Sequence, residues 1–219
     1  MLTLRCSENE FLAEDDEPSR FIFEYDGKLL LPDRADEETD VGYFSVKYVD
    51  VGGAVTERES VFDVFDSDST CIQYYEALYD GNDDIKPRVA RLAHGDDYLW
   101  NPSLLILDRL VVYREYRGRG VGLVALRALI HRFRAGAGLI ALKAFPLQYE
   151  GDRSVKPEGP DEAKLGYDQF HVPMPKATSK LRSYYRQVGF LQVPRTQVMV
   201  RSPEVPVRDV TSNGNETSA

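Results

Sequence analysis

A glycine-rich turn just past the middle of the chain has the residues to bind an anion. Arg117–Gly122 reads Arg-Gly-Arg-Gly-Val-Gly, with an apolar stretch before it and a helical apolar pattern after it. Closely spaced glycines let a backbone approach a ligand and point its N–H groups outward. The helix that follows adds the positive end of its dipole. We therefore expect this turn to cradle a phosphate or pyrophosphate group.

Other uses of such a turn fit less well. A dinucleotide fold needs Gly-x-Gly-x-x-Gly near the start of a parallel βαβ array, whereas this turn gives Gly-x-Gly-x-Gly past mid-chain. A Walker loop needs Lys-Ser or Lys-Thr after the glycines, and neither follows them. A plain tight turn without a ligand stays open as an alternative. A coenzyme pyrophosphate is the ligand that we expect.

The elements that must position the turn can be predicted from apolar spacing. Leu104–Val112 is apolar apart from Asp108-Arg109 and predicts a strand. A helix follows and ends near Gly136, and Leu139–Phe145 predicts another buried strand. The helix is predicted by the spacing of Leu123, Leu126, Leu129, Ile130 and Phe133.

A last helix and one or two strands are expected near the C-terminus. Thr178 or Ser179 can cap a helix over Lys180–Val188 that Gly189 terminates, and Phe190–Val200 returns as one or two strands. Before this helix, Gln148–Ala177 is polar, contains four prolines and predicts a loop or lid.

The first hundred residues predict strands and one amphipathic helix. Phe21–Leu31 with Asp26-Gly27 at its middle predicts a hairpin, and Val41–Val51, closed by Gly52-Gly53, predicts a strand. Ser67 or Asp68 is expected to cap a helix that ends at Gly81. Its apolar face is formed by Cys71, Ile72, Tyr75, Leu78 and Tyr79.

Composition limits the class of protein. The 219 residues are 42% hydrophobic, which predicts a single domain over 1–201 with a disordered polar tail over 202–219. The net charge of -9 argues against nucleic acid or an anionic membrane as the main partner. Cys6 and Cys71 are too few for a disulfide framework. With no signal-like or membrane-spanning apolar run, the sequence predicts a soluble, cytoplasmic protein.

Two motifs resemble the GNAT superfamily of acyl-CoA-dependent N-acyltransferases. Arg117, Gly120 and Gly122 match its [Arg/Gln]-x-x-Gly-x-[Gly/Ala] signature at a strand-to-helix junction, although Arg114 stands where the broader pattern has proline. Tyr185–Phe190 is similar to the family's Tyr-x-x-x-Gly-Phe motif on its last core helix. The resemblance covers about residues 100–195.

The resemblance implies an α+β fold, an α/β sandwich. Its mixed, mostly antiparallel sheet would have six or seven strands, splayed between Leu104–Val112 and Leu139–Phe145, with helices on both faces. Residues 1–100 would form the acceptor-side half and 101–201 the acyl-CoA-binding half. The implied coenzyme contacts are Leu110, Val111, Val112, Arg117, Gly118, Arg119, Gly120, Val121, Gly122 and Leu123, and no metal is needed.

Two residues are candidates for proton transfer. By the resemblance, Tyr185 is the general acid that reprotonates the departing thiolate; the alternative is an aromatic side chain packed in the core. Asp108 lies two positions before Leu110, on the same predicted face, and is expected to relay a proton from the attacking ammonium or bind it. The alternative for Asp108 is an ordinary salt bridge. His171 and Glu150 are weaker candidates for the base.

The implied reaction transfers acetyl from acetyl-CoA, or another acyl group from its coenzyme A thioester, to a primary amine by direct attack. The acidic composition favours a cationic acceptor such as a polyamine, an aminoglycoside or a lysine-bearing peptide. A non-catalytic acyl-CoA-binding or interaction protein stays open, as does a nucleic-acid module built on the Arg-rich stretch 109–134. The oligomeric state is also open, with a homodimer as one option.

Overall fold

Seven strands form one open, mixed sheet in the computed structural model, which describes residues 2–8, 17–32, 38–149, 162–167 and 171–206. The strands lie in the order β1-β2-β3-β4-β5-β7-β6, and every neighbouring pair is antiparallel except β4 and β5. They are β1 (Thr3–Glu8), β2 (Ile22–Pro32), β3 (Glu38–Val49), β4 (Leu104–Val112), β5 (Leu139–Lys143), β6 (Leu191–Gln192) and β7 (Val198–Arg201). The predicted α+β fold with a mixed, mostly antiparallel sheet is confirmed.

Helices cover both faces of this sheet. The helices are α1 (Val51–Thr56), α2 (Val61–Asp66), α3 (Ile72–Leu78), α4 (Pro87–His94), α5 (Val121–Phe133), α6 (Glu162–Leu165) and α7 (Met174–Arg186). One core cluster joins α1–α4 to one sheet face, and a second joins α5 and α7 to the other. We call these two sides the α1–α4 face and the α5–α7 face. No helix among the described residues has the length and apolarity to cross a membrane.

The hairpin predicted at Asp26-Gly27 is wrong, because β2 runs straight through both residues. Gly27 pairs with Cys6 on one side and with Phe44 on the other. A Cβ at Gly27 would lie 2.4 Å from both the Arg5 carbonyl oxygen and the Phe44 ring. The glycine therefore permits close packing inside a strand, where the sequence pattern predicted a turn.

The predicted strand near Val41–Val51 is present as β3, but Gly52-Gly53 lies in α1. The Asp50 carboxylate caps this helix by accepting the Gly53 N–H at 3.0 Å. A Cβ at Gly53 would clash with that carboxylate at 2.4 Å. Gly53 therefore allows the cap to form, and the chain turns directly from strand to helix.

The helices flanking the long polar segment differ in detail from prediction. The helix near Cys71 is α3, which ends at Leu78 before Gly81, while Asp68 accepts the backbone N–H of Thr70 and Cys71 just before it. α7 begins at Met174, so Thr178 and Ser179 lie inside it, and their predicted capping role is wrong. Pro175 occupies the first turn, where its fixed φ suits a helix start. Of the predicted loop 148–177, residues 150–161 and 168–170 lie outside the described residues.

The segment after β7 is anchored by a buried arginine. Arg201 is 1% exposed, and its guanidinium donates to the carbonyls of Val188 at 2.5 Å, of Ser202 at 3.2 Å and of Val205. Three backbone acceptors thus satisfy a charge that has left water. The start of the tail predicted to be disordered is therefore tied to Arg201 through Ser202 and Val205, and residues 207–219 lie outside the described residues.

The sheet splays between its two parallel strands, as predicted. β4 and β5 pair only at Leu104–Leu139, Leu105–Ile140 and Ile106–Ala141. Beyond these pairs, β4 continues to Val112 and β5 to Lys143 without pairing to each other. The edge of β4 from Leu107 to Val112 is therefore not paired with β5, and we call it the open edge of β4.

Candidate functional site

A β-bulge places Asp108 at the mouth of the splay. Val46 pairs with Leu107 and Ser45 pairs with Arg109, so Asp108 is an extra residue in β4. A bulge reverses the alternation of side chains beyond it. The prediction that Asp108 and Leu110 share a face is therefore wrong. Leu110 packs in the core of the α5–α7 face, whereas the charge of Asp108 acts on Cys71 in the core of the α1–α4 face.

The glycine turn presents a row of backbone donors. Gly118 and Gly120 have φ of +74° and +79°, and a Cβ at either would meet no atom within 4 Å. Within the described residues, the N–H groups from Gly118 to Gly122 have no hydrogen-bond acceptor, while those of Leu123 and Val124 donate to the Gly120 carbonyl. Outward N–H groups in such a turn form a concave anion site. We call Gly118–Gly122 the amide nest.

Arg117 holds the nest to the end of β4. Its Nε donates to the Val112 carbonyl at 2.7 Å, and its guanidinium carbon lies 5.7 Å from the centre of the Tyr167 ring. Burial lowers the pKa of Arg117, although the group stays charged. Arg117, which the sequence singled out as a ligand contact, therefore also fixes the shape of the turn.

Gly122 admits a tyrosine over the start of α5. A Cβ at Gly122 would lie 2.4 Å from the Tyr184 hydroxyl and 3.6 Å from a Val112 methyl group. Tyr184 is half-buried, and burial raises its pKa to about 12 although the charge of Arg127 acts to lower it. The contact brings α7 against the amide nest, so both sequence motifs meet at one place.

The other predicted coenzyme contacts surround the nest. Val111 is buried, Leu110 and Val112 are half-buried on β4, and Val121 and Leu123 are half-buried in the first turn of α5. Arg119 is exposed, with its guanidinium 5.9 Å from the Tyr116 ring centre. The predicted contacts therefore lie in one contiguous stretch, from the open edge of β4 to the N-terminus of α5.

Tyr185 lies next to Tyr184 and is held by aromatic contacts. Its ring centre is 5.7 Å from that of Tyr184 and 6.3 Å from that of Phe190, with edge-to-face orientation in both pairs. Burial raises the pKa of Tyr185 well above its ordinary value, and Tyr184 adds to the effect. The phenol is therefore protonated throughout the physiological pH range, as a proton donor must be.

Tyr74 joins these groups, although the sequence analysis did not single it out. Its side chain is 1% exposed, and its pKa is raised first by burial and then by Asp108, Cys71 and Tyr185. Tyr74 therefore lies within electrostatic reach of both predicted proton-transfer residues. The available signal was its spacing from Cys71 and Leu78, which places all three on one face of α3.

The first turn of α3 is also tied to the end of β5, where the splay opens. The Lys143 ammonium donates to the Gln73 side-chain oxygen at 2.6 Å, and the Lys143 backbone hydrogen-bonds Tyr74. The Lys143 ammonium also lies 5.3 Å from the Phe145 ring centre. These contacts fix one wall of the splay.

A buried ion pair lies behind Asp108 on the α1–α4 face. The Lys47 ammonium, 7% exposed, donates to Asp68 at 2.5 Å and lies 3.6 Å from Glu24. Burial acts to raise the pKa of Asp68, but the hydrogen bonds from Lys47 and Thr70 and the charge of Lys47 together outweigh it and lower that pKa to about 2. Burial, with Asp68 next in effect, raises the pKa of Cys71 far above its ordinary value, so Cys71 is not a nucleophile.

The two weaker candidates for the base are not brought to the site by any described contact. His171 is exposed at the start of the segment before α7. Glu150 lies outside the described residues.

The site thus combines an amide nest, an open strand edge, a protonated phenol and a carboxylate at a bulge. This set can bind a phosphate, align an extended chain along β4 and move a proton at each side of the splay. Comparison with protein-family models, with curated proteins and with solved structures finds no match in any of the three.

Proposed function

We propose that the protein is an N-acyltransferase that transfers an acyl group, most simply acetyl, from its coenzyme A thioester to a primary amine. The observation that carries this proposal is the position of the amide nest. Five donors without acceptors among the described residues lie at the N-terminus of α5, at the open end of the splay between β4 and β5.

The nest supports the assignment of the donor. Free N–H groups and the positive end of a helix dipole favour a pyrophosphate without needing a particular side chain. The exposed surface at Gly118 and Gly120 leaves room for such a group. In this proposal, the pantetheine arm pairs with the edge of Leu110–Val112 as an added strand would.

The groups around the splay support the chemistry. In the proposed reaction, Asp108 or a water molecule takes a proton from the amine, and the amine nitrogen adds to the thioester carbonyl. Backbone N–H groups of β4 stabilise the oxyanion. The C–S bond then breaks, and Tyr185 gives its proton to the departing sulfur.

The acidic α1–α4 layer indicates a class of amine acceptor, but no single compound. α1–α4 and their connections, residues 50–97, carry twelve Asp and Glu against four Lys and Arg. A surface of that charge attracts cations. A cationic amine, such as a polyamine, an aminoglycoside or a lysine-bearing peptide, is the acceptor class that it favours.

The first test is calorimetric titration with acetyl-CoA. Gly120→Glu puts a carboxylate into the nest and should weaken binding at least about tenfold, which corresponds to about 1.4 kcal/mol. Gly95→Glu is the matched control, because Gly95 also has a positive φ, +88°, and open space around it, but it ends α4 away from the nest. The backbone strain is therefore the same in both variants, and only the site differs.

Two results would contradict the proposal. Absence of acetyl-CoA binding by the unchanged protein would remove the donor assignment. Equal binding by the Gly120→Glu and Gly95→Glu variants would show that the coenzyme does not use the nest.

A further inference from the structure

The two helices of the α5–α7 face carry cations and no carboxylate. α5 and α7 contain neither Asp nor Glu, although the whole chain has 36 acidic and 27 basic residues. We define the basic face as the Lys and Arg side chains of these helices, namely Arg127, Arg132, Lys176, Lys180, Arg182 and Arg186. The acidic residues of the chain lie elsewhere, and residues 50–97 of the α1–α4 layer contain twelve of the 36.

These cations are not neutralised within the described part of the chain. None of the six takes part in an ion pair there. Arg132, Lys176, Lys180 and Arg186 are exposed. Arg127 and Arg182 are half-buried, and the Nε of each is buried without an acceptor. The face therefore presents positive charge that an anionic surface can neutralise.

The basic face extends well beyond the reach of a nucleotide coenzyme. Arg132 lies twelve residues past Gly120, about 18 Å along the helix axis from the nest. Lys176 and Arg186 are separated by about 15 Å along α7. A coenzyme whose pyrophosphate occupies the nest has one further phosphate to offer, so it cannot cover cations spread over two helices. The distance over which these cations are spread therefore fits the surface of a folded protein better than a small molecule.

The basic face is also continuous with the proposed donor site. Tyr184 of α7 lies over Gly122 at the nest, and Arg127 acts on the pKa of that tyrosine. A partner seated on the outer sides of α5 and α7 would therefore lie beside the nest and the open end of the splay. From there, a flexible arm with a phosphate at its base can place the phosphate at the nest and extend along β4.

We propose that the basic face docks an acidic carrier protein that presents the acyl group as a thioester on a phosphopantetheine arm. This inference rests on the proposed acyl transfer and names the kind of donor that the site accepts besides free acetyl-CoA. The acyl C–S bond of the carrier breaks and an acyl C–N bond forms. The amine proton passes to Asp108 or water, and the pantetheine thiolate takes a proton from Tyr185, which leaves the carrier with a free thiol.

A nucleic acid is the other polyanion that such a face can attract, and the structure favours it less. The net charge of -9 repels a long phosphate backbone that extends past the face. The tyrosines of α7 at this surface, Tyr184 and Tyr185, are half-buried and packed, so they offer no stacking platform for bases.

The test measures binding of an acetylated bacterial acyl carrier protein at low salt, by calorimetry. A double variant, Lys180→Glu with Arg186→Glu, reverses two exposed cations of α7. Its matched control, Arg58→Glu with Arg88→Glu, makes the same change in net charge at exposed positions on the opposite layer. We expect the α7 double variant to lose at least about tenfold in carrier affinity, and the control to lose much less.

The outcomes separate this inference from the proposed function. Acetyl-CoA is titrated into the same three proteins, and its affinity should be nearly equal in all of them, because the reversed side chains are exposed and are not among the proposed coenzyme contacts. Failure of the unchanged protein to bind the carrier, equal loss in both double variants, or binding of a DNA or RNA duplex in place of the carrier would overturn the inference. If acetyl-CoA itself does not bind, the proposed function fails, whatever the carrier result.

Discussion

The Tyr184 hydroxyl lies where a side chain at Gly122 would begin. A Cβ added at Gly122 would be 2.4 Å from that hydroxyl, a separation far below van der Waals contact. This glycine is therefore required by the packing of α7 on α5, in addition to any role in binding a phosphate.

The first prediction follows from that contact. Replacing glycine by alanine in a helix ordinarily stabilises it by about 1 kcal/mol. We expect Gly122→Ala to destabilise this protein by about 1–3 kcal/mol instead, because Tyr184 must move. In a Tyr184→Phe background the nearest ring carbon is 3.6 Å away, so the alanine should be neutral or stabilising. Chemical denaturation of the four proteins measures this; an unchanged cost in the Phe background would contradict it.

The second prediction concerns the proposed proton donor. Tyr185→Phe keeps the ring that packs on Phe190 and removes only the hydroxyl. We expect kcat for acyl transfer to fall about 10²–10⁴-fold, while the acetyl-CoA Kd stays within about threefold of the unchanged value. A thiol-release assay with a panel of primary amines gives the rate, and calorimetry gives the Kd.

Tyr184→Phe is the matched control for that experiment, because it removes the neighbouring hydroxyl from the same helix. If Tyr184→Phe and Tyr185→Phe lower the rate equally, the loss comes from altered packing of α7 and not from the Tyr185 proton. An unaltered rate in Tyr185→Phe would leave a coenzyme-binding protein in which this phenol does no chemistry.

The third prediction concerns the carboxylate at the bulge. We expect Asp108→Asn, which preserves the shape of the side chain, to lower kcat/KM for the amine about 10–100-fold without changing acetyl-CoA affinity. Because the charge of Asp108 acts on Tyr74, the effects of Asp108→Asn and Tyr74→Phe should be non-additive. A double-mutant cycle on kcat/KM measures the coupling between Asp108 and Tyr74. Strictly additive effects would show that the two residues act independently, which would contradict this prediction.

The fourth prediction uses the buried Lys47–Asp68 pair. The pKa of Asp68 is lowered from 3.8 to about 2 in the folded protein. A lower pKa in the folded state means that the ionised carboxylate stabilises the fold above about pH 4. That contribution, about 2 kcal/mol, is lost as the pH falls toward 2. Asp68→Asn should therefore be destabilised at pH 7, and the difference from the unchanged protein should shrink at lower pH.

A companion variant separates the ion pair from simple packing. Asp68→Asn leaves Lys47 buried, with Glu24 as the one ion-pair partner that remains among the described residues. Replacing Lys47 by methionine in the same protein should restore part of the lost stability, because it removes the poorly paired buried charge. A stability difference that stays constant from pH 7 to pH 3 would contradict the role assigned to Asp68.

The strand, turn and helix that build the nest could be predicted from sequence, because their signals are strong and local. Leu104–Val112 is a long apolar run, and the glycines of 118–122 break it before a clear helical pattern. The hairpin predicted at Asp26-Gly27 was wrong because the local signal there is ambiguous. The same dipeptide suits a tight turn or a crowded strand, and only the packing of Phe44 over Gly27 decides between them.

The chemistry on the α1–α4 face was harder to predict because it depends on contacts between distant elements. The side chains of Tyr74, Lys143 and Asp108 come from a helix and two strands, and no spacing in the sequence connects them. The adjacent charges of Asp108 and Arg109 interrupt the apolar strand, but nothing local in the sequence shows that the strand bulges there. The bulge is defined by the register between β3 and β4, so it cannot be found from the sequence of β4 alone.

The bulge has a consequence for which changes in length β4 can tolerate. Because Asp108 is the extra residue, its deletion would leave Leu107 and Arg109 opposite Val46 and Ser45 in regular alternation. Leu110 and Val112 would then stay on the core side of the sheet, and the glycine turn would stay at the end of the strand. The carboxylate and the phosphate cradle are therefore separable: one deletion can remove the first and leave the second in place.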